Sequence, residues 1–250
     1  MTLSSPTATP PAANRQQASQ GSVPPGAAPE QQLREHATAV RVRRRQRLAL
    51  DHAPAESMYI VRSGLLGIEA ALPGKHRQLL ALFYPGDIVR RSLVPELPGV
   101  TVSAMNVAEV WRLPPRGFDT LLAASAETNT HAQWQLANQH ARAALHGSIV
   151  GGLCGDERFA SLLIELGLRL GTPAAAAAGV MIESPLSRTD IADYLALNPD
   201  TLSRISSRFK ARGLLLPARS GRLVLPDWNG LCAASPVADT LLALHTRRAA

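Results

Sequence analysis

Asp200, Ser203, Arg204 and Ser207 are the side chains best suited to specific chemistry, because spacing of i, i+3, i+4 and i+7 puts them on one face of a helix. That face is short-chained apart from a single Arg. A helix shaped only for solubility would carry long Glu and Lys pairs, whereas small residues permit close approach to a partner of fixed shape. A guanidinium on such a face can grip guanine O6 and N7 through two hydrogen bonds, and a carboxylate can accept from cytosine N4. Arg208, Lys210 and Arg212 follow toward the C-terminal end, where cations suit the helix dipole and can meet phosphates.

These residues need a rigid carrier, and the flanking sequence predicts one. Ser187, with Asp190 three residues on, reads as the N-cap of a first helix. Its apolar face is Ile191, Ala192 and Leu195, with Asp190 and Asp193 toward water. Asn198-Pro199 reads as a second start: Asn caps, and Pro at the first helical position gives up only an amide that had no partner. Leu202, Ile205 and Phe209 form the buried stripe of this second helix, and Gly213 stops it. Leu214–Pro217 and Leu223–Leu225 flank Arg219-Ser220-Gly221 as a hairpin with a basic tip. Two helices, a tight joint and a hairpin make a winged helix-turn-helix. The rival reading is a helical hairpin that packs against or binds protein.

Charge is unevenly spread over the 250 residues, whose formal net charge is +7. Residues 1–47 carry seven Arg against two acids, residues 48–184 ten bases against twelve acids, and residues 185–225 seven bases against three acids. A near-neutral middle between basic ends suits a sensing or dimerising part joined to a polyanion-binding one. Cys154 and Cys232 match no zinc or disulfide framework, which points to a reducing cytoplasm. No signal-peptide pattern and no apolar run of spanning length is present, so no membrane partner is expected. Nucleophile-elbow, phosphate-loop and metal-ligand constellations are missing too, so the chain does not read as an enzyme.

The opening residues, rich in Pro, Ala, Ser, Gln and Gly, form an expected disordered tail, residues 1–36. The run Arg41–Arg47 reads as a basic edge strand, with a phosphate-binding arm as the other reading. Short β-rich runs at Met58–Val61, Leu65–Ala70, Gln78–Phe83 and Ala108–Leu113, punctuated by Gly and Pro, predict an antiparallel barrel or roll over residues 37–116. A helical pattern follows over residues 117–152, with Trp134, Ala141, Leu145 and Ser148 spaced as a dimer seam. Phe159, Leu162, Leu163, Leu166 and Leu170 give an amphipathic helix from Asp156 to Leu170, and residues 171–179 read as a hinge or loop. The DNA-binding part is assigned to residues 153–232 and a tail or short helix to residues 233–250. The expected fold is therefore α+β: β-roll, long dimerisation helix, winged helix-turn-helix.

The stretch "SRTDIADYLALNPDTLSR", followed by "F...GLL", resembles the C-terminal DNA-binding domain of Crp/Fnr transcription regulators. "MYIVRSGLLGIE" and "LLALFYPGDIV" resemble the cyclic-nucleotide-binding roll of the same family, so the similarity spans roughly residues 38–230. In the Fnr branch, a Glu-x-x-Ser-Arg pattern reads TTGAT half-sites. The resemblance implies that Arg204 takes the guanine, Ser203 the neighbouring thymine and Asp200 a base on the opposite strand. Asp200 is one methylene shorter than the family's Glu, and Ala196 stands where the turn usually has Gly. The expected DNA-contacting residues are Ser187, Thr189, Asp200 and Thr201, together with Ser203, Arg204, Arg208 and Lys210.

The resemblance further implies a homodimer on an inverted-repeat operator, signal-responsive, with RNA polymerase and double-stranded DNA as partners. A ligand-free regulator and a protein-interaction module with a degenerate sensor are the alternatives. The family's nucleotide receptors carry Gly-Glu after the Gly-Asp turn, where this chain has Arg90-Arg91, which argues against cyclic AMP. An iron-sulfur sensor needs several N-terminal Cys, and none precedes Cys154. Haem stays open through His36, His52, His76, His131, His140 or His146. Cys154 reads as a small buried hydrophobe, with redox sensing as the other reading.

Overall fold

Alternating apolar residues in short, Gly- and Pro-bounded runs organise the N-terminal half. The computed structural model describes residues 37–50, 57–72, 76–114, 117–174, 179–183, 185–217 and 222–246. The expected tail of residues 1–36 lies outside them, as do His52 and the hairpin tip Arg219-Ser220-Gly221. Seven strands form first: β1 (Thr38–Val42), β2 (Met58–Ser63), β3 (Leu66–Leu72), β4 (His76–Phe83), β5 (Ile88–Val89), β6 (Val100–Ala104) and β7 (Ala108–Leu113). They make two antiparallel sheets, in the orders β1-β7-β2-β5 and β4-β3-β6. Val42, Tyr59, Val61 and Val110 from one sheet share a core with Leu66, Ile68, Phe83 and Val102 from the other. The α+β class and the antiparallel roll are as expected.

Two of these strands, β5 and β6, were not among the sequence runs. β6 follows the Pro98-Gly99 turn, where Gly99 takes φ 78°. Arg41 and Val42 lie in the edge strand β1, but the rest of the basic run turns away: Gln46 N donates to Arg43 O at 2.9 Å and Arg45 N to Ala104 O at 2.7 Å. Gly64, at φ 81°, cannot be replaced cheaply, because a Cβ there would sit 2.6 Å from both Ala108 Cα and Val107 O.

The long helical pattern is two helices, α1 (Gly117–Ala124) and α2 (Ala126–Gly152), not one. Ser125 separates them because its Oγ accepts from Thr128 N at 3.2 Å, an N-cap arrangement that a continuous helix would forbid. α2 closes at Gly151-Gly152. By internal contacts the chain divides into two units, one running to His146 and the other from Gly147.

Within the first unit, α2 is fastened to the roll by polar groups. Gln139 accepts from Ile88 N at 3.0 Å and donates to Ile88 O at 2.8 Å, so its amide acts as a strand partner for β5. Arg142 Nη2 donates to Asp87 Oδ1 at 2.7 Å, and both side chains are almost fully buried. Phe118 and Ala132 pack with Met58 and Ile88 beside these bonds. Of the seam residues, Trp134 and Leu145 are half-buried while Ala141 and Ser148 are exposed; they occupy a different face from Gln139, Arg142 and His146.

The second unit is built on α3 (Gly155–Leu170), buried continuously from Phe159 to Gly167. Around it lie β8 (Gly171–Pro173), β9 (Val180–Glu183), α4 (Arg188–Leu195), α5 (Pro199–Ala211), β10 (Leu216–Pro217) and β11 (Arg222–Leu225). The short helices α6 (Trp228–Ala233) and α7 (Ala238–Thr246) complete it, the latter carrying Leu241, Leu242 and Leu244 as expected for a last helix. The four strands form one antiparallel sheet, ordered β10-β11-β9-β8. The expected hinge at residues 171–179 therefore begins as a strand. Gly171–Pro173 pairs with β9 and Ala174 N donates to Gly179 O at 3.0 Å, while Pro173 is tolerated because β8 is an edge.

Candidate nucleic-acid interface

The joint between α4 and α5 is made by backbone and capping groups. Ser187 Oγ accepts from Asp190 N at 3.1 Å and donates to Asp190 Oδ2 at 2.6 Å; Ser187 N donates to the same carboxylate oxygen at 2.9 Å. Asp190 is thus fully buried rather than turned to water, because its carboxylate satisfies the capping groups of the helix start. Tyr194 joins Ile191, Ala192 and Leu195 on the buried face. Ala196 closes α4 in the left-handed region, φ 50° and ψ 47°, and Leu197 N reaches back to Ala192 O at 2.9 Å. Asn198 then caps α5 by accepting from Asp200 N at 2.8 Å, with Pro199 at the first position. At the far end Gly213 takes φ 70° and Leu214 N bonds to Phe209 O at 2.9 Å.

Packing fixes which way α5 faces. Leu202, Ile205 and Phe209 are buried, and Phe159 of α3 meets the Phe209 ring edge to face at 5.1 Å. The opposite side carries Asp200, Ser203, Arg204 and Ser207, all exposed. The two serines stay close to the helix: Ser203 Oγ donates to Pro199 O and Ser207 Oγ to Ser203 O, each at 3.0 Å. Their hydroxyl protons are committed, so they face outward as acceptors. Among the described residues, Asp200 and Arg204 have no ion pair or side-chain hydrogen bond.

The other expected contact residues are distributed around this face. Thr189, Thr201 and Lys210 are exposed, while Ser187 is half-buried with its hydroxyl spent on the cap. Arg208 is exposed but engaged: its Nε donates to Asp156 Oδ2 at 3.1 Å and its Nη2 pairs with Asp156 Oδ1. The hydrogen bond to Asp156 raises the Arg208 pKa above its already high ordinary value. Sequence spacing did not suggest this partner, which lies 52 residues away.

A domain model for the Crp-like helix-turn-helix matches residues 157–234, and one for the cyclic nucleotide-binding domain matches residues 39–125. The transcriptional activator FnrA of Stutzerimonas stutzeri is 28% identical over 71% of this chain and 72% of its own length. The nitrogen fixation regulation protein FixK of Rhizobium meliloti is 40% identical over 89 residues, 35% of this chain and 39% of that protein. The structure of FixK2 from Bradyrhizobium japonicum covers 80% of this chain and 97% of its own, with 25% identity and a TM-score of 0.66. The chain belongs to the Crp/Fnr family.

It is accordingly a transcription regulator with a helix-turn-helix DNA-binding domain, not an enzyme. In the Crp/Fnr roll of this chain, Arg90-Arg91 stand where the nucleotide receptors are expected to carry Gly-Glu. Arg91 follows the Gly86-Asp87 turn in a short 3₁₀ turn (Arg91–Leu93), its Nε is buried without a hydrogen-bond partner, and no carboxylate occurs from Ile88 to Pro95 to accept from a ribose hydroxyl. Of the candidate haem ligands, His131 and His140 are exposed, and His146 is buried against the Leu79 backbone. No group of three or more His, Cys, Asp or Glu suited to a metal is found among the described residues.

Cys154 is exposed rather than buried, because it stands just before α3, where its backbone N donates to Glu157 Oε2 at 2.8 Å. No described helix is long and apolar enough to cross a membrane.

Proposed function

We propose that this regulator binds an inverted-repeat operator with TTGAT-like half-sites as a homodimer, acting in the cytoplasm and contacting RNA polymerase there. The observation that carries the operator reading is the outward face of α5: exposed Arg204 and Asp200 with no partner among the described residues, flanked by exposed Ser203 and Ser207. In this reading Arg204 takes the half-site guanine, Ser203 packs against the methyl edge of the neighbouring thymine and Asp200 reads the opposite strand. Ser187, Thr189, Thr201, Arg208 and Lys210 meet sugar and phosphate, which set register but carry no sequence information. The roll serves as the sensor of a signal other than cyclic AMP, consistent with Arg91 in place of a ribose-binding carboxylate.

The test is binding of the intact chain to duplexes carrying TTGAT-N4-ATCAA, with each half-site base exchanged in turn. The unaltered chain should discriminate at the guanine by about 1–3 kcal/mol, and Arg204→Ala should erase that preference while leaving the other positions read. Preference for guanine persisting in Arg204→Ala would reject the assignment. Addition of cyclic AMP should leave the affinity unchanged.

A further inference from the structure

Arg208 and Lys210 flank the reading face from opposite sides. At about 100° per residue, Asp200, Ser207 and Ala211 lie near the centre of the exposed face, with Arg208 well to one side and Lys210 to the other. Cations so placed suit the two phosphate walls of a groove. The two differ in how they are held. Lys210 has no partner among the described residues, whereas Arg208 is taken side-on by Asp156 through Nε and Nη2. A side-on grip leaves Nη1 and the outer edge of Nη2 free, and the Arg208 side chain remains 54% exposed. A carboxylate competing with phosphate for this cation would occupy that outer edge; Asp156 does not.

The first turn of α3 is itself held in place. Gly155 lies so close to α5 that a Cβ there would come within 2.9 Å of Ile205 Cδ1. Arg158 donates Nε to Leu153 O at 2.8 Å and Nη1 to Leu195 O at 3.1 Å, tying that turn to the end of α4. Asp156 therefore projects from a fixed support onto a long side chain that would otherwise sample many rotamers.

We propose that Asp156 is a positioning residue for DNA binding: it orients the Arg208 guanidinium so that its free edge meets a backbone phosphate. The inference rests on the DNA reading above and adds a residue that touches no DNA. Because a phosphate contact is blind to sequence, Asp156 sets affinity uniformly and leaves base preference alone.

The experiment measures binding of the intact chain to the operator duplex and to a scrambled duplex over a range of salt concentrations. Arg208→Ala should weaken both complexes alike, by roughly tenfold, and lower the slope of log affinity against log salt by about one. Asp156→Ala should weaken both roughly threefold with the slope retained, because the cation stays but is no longer aimed. Asp156→Glu should restore most of that loss. The double variant should bind no worse than Arg208→Ala, since Asp156 acts through Arg208. Unchanged melting temperature in Asp156→Ala separates aiming from folding, and the Glu rescue decides the matter if that variant is less stable. Equal or tighter binding by Asp156→Ala, or additive losses in the double variant, would overturn the proposal. An unaltered chain that discriminates the operator while Asp156→Ala behaves identically sinks only this inference. An unaltered chain that binds neither duplex sinks the DNA reading and this inference with it.

Discussion

Ala196 sits at φ 50° in the turn between the two DNA-binding helices, a region in which Cβ crowds the following carbonyl. The conformation is imposed by its surroundings: Leu197 must reach Ala192 O, and Asn198 must begin α5 two residues later. Replacing Ala196 by Gly removes the Cβ penalty of about 1–2 kcal/mol but loosens the unfolded chain, so a net gain of about 0.5–1 kcal/mol is expected. Denaturant unfolding of Ala196→Gly checks it, and lowered stability would show that the turn relies on that methyl. The strain was visible beforehand only as a residue type in a familiar place. Caps at Ser187 and Asn198, Pro199 at the helix start and Gly213 at its end were all legible, because each acts over three or four residues. The burial of Asp190 was not, since a carboxylate in a helix pattern reads as solvated until its own cap encloses it. Nor was the Asp156–Arg208 pair, which is made only by tertiary packing.

At the scale of elements, α2 meets the roll through polar groups that a hydrophobic pattern cannot announce. Gln139, Arg142 and His146 recur at helical spacing and are buried, although none of the three is apolar. Similarly, β5 is two residues long and is recognised only by its pairing with β2 and the amide of Gln139. Burying Arg142 with Asp87 is tolerable because the ion pair is also hydrogen-bonded: Asp87 accepts from Tyr84 N at 2.8 Å as well as from Arg142. His146 is the titratable member. Burial pushes its pKa down to about 4, against a weaker opposing hydrogen bond to the Leu79 backbone. The unfolded chain takes up a proton below about 6.5, whereas the folded chain resists until about 4. Stability from neutral His146 is therefore complete above pH 6.5 and declines as pH falls toward 4. Between pH 7.5 and pH 5 the loss should be about 2 kcal/mol. Urea unfolding at the two pH values should show this loss shrinking by that amount in His146→Gln; an equal pH dependence in both proteins would place the titrating group elsewhere.

For the whole molecule, the question is how one short recognition helix attains specificity. A single half-site offers few base contacts, each worth about 1–3 kcal/mol, and the basic flanks add affinity that is blind to sequence. The proposed pairing of two copies about a twofold axis would solve this, because the second half-site would then be engaged at high effective concentration. The chain has a face to spare for such pairing: Trp134, Ala141, Leu145 and Ser148 lie on α2 away from the residues that hold the roll, and all are at least partly exposed. In the proposed homodimer, closed symmetry would fix the separation and rotation of the two α5 helices, so half-site spacing becomes a sharp test. Inserting five base pairs at the operator centre turns one half-site by about half a helical turn, given roughly 10–10.5 base pairs per turn. Phosphate number and half-site sequence are preserved, so the sequence-independent term is untouched. Specific affinity should nevertheless fall by about 10²–10⁴-fold, toward that of a duplex carrying one half-site. If the longer operator bound as tightly as the original, each recognition helix would be acting alone, and pairing through α2 would have no part in site selection.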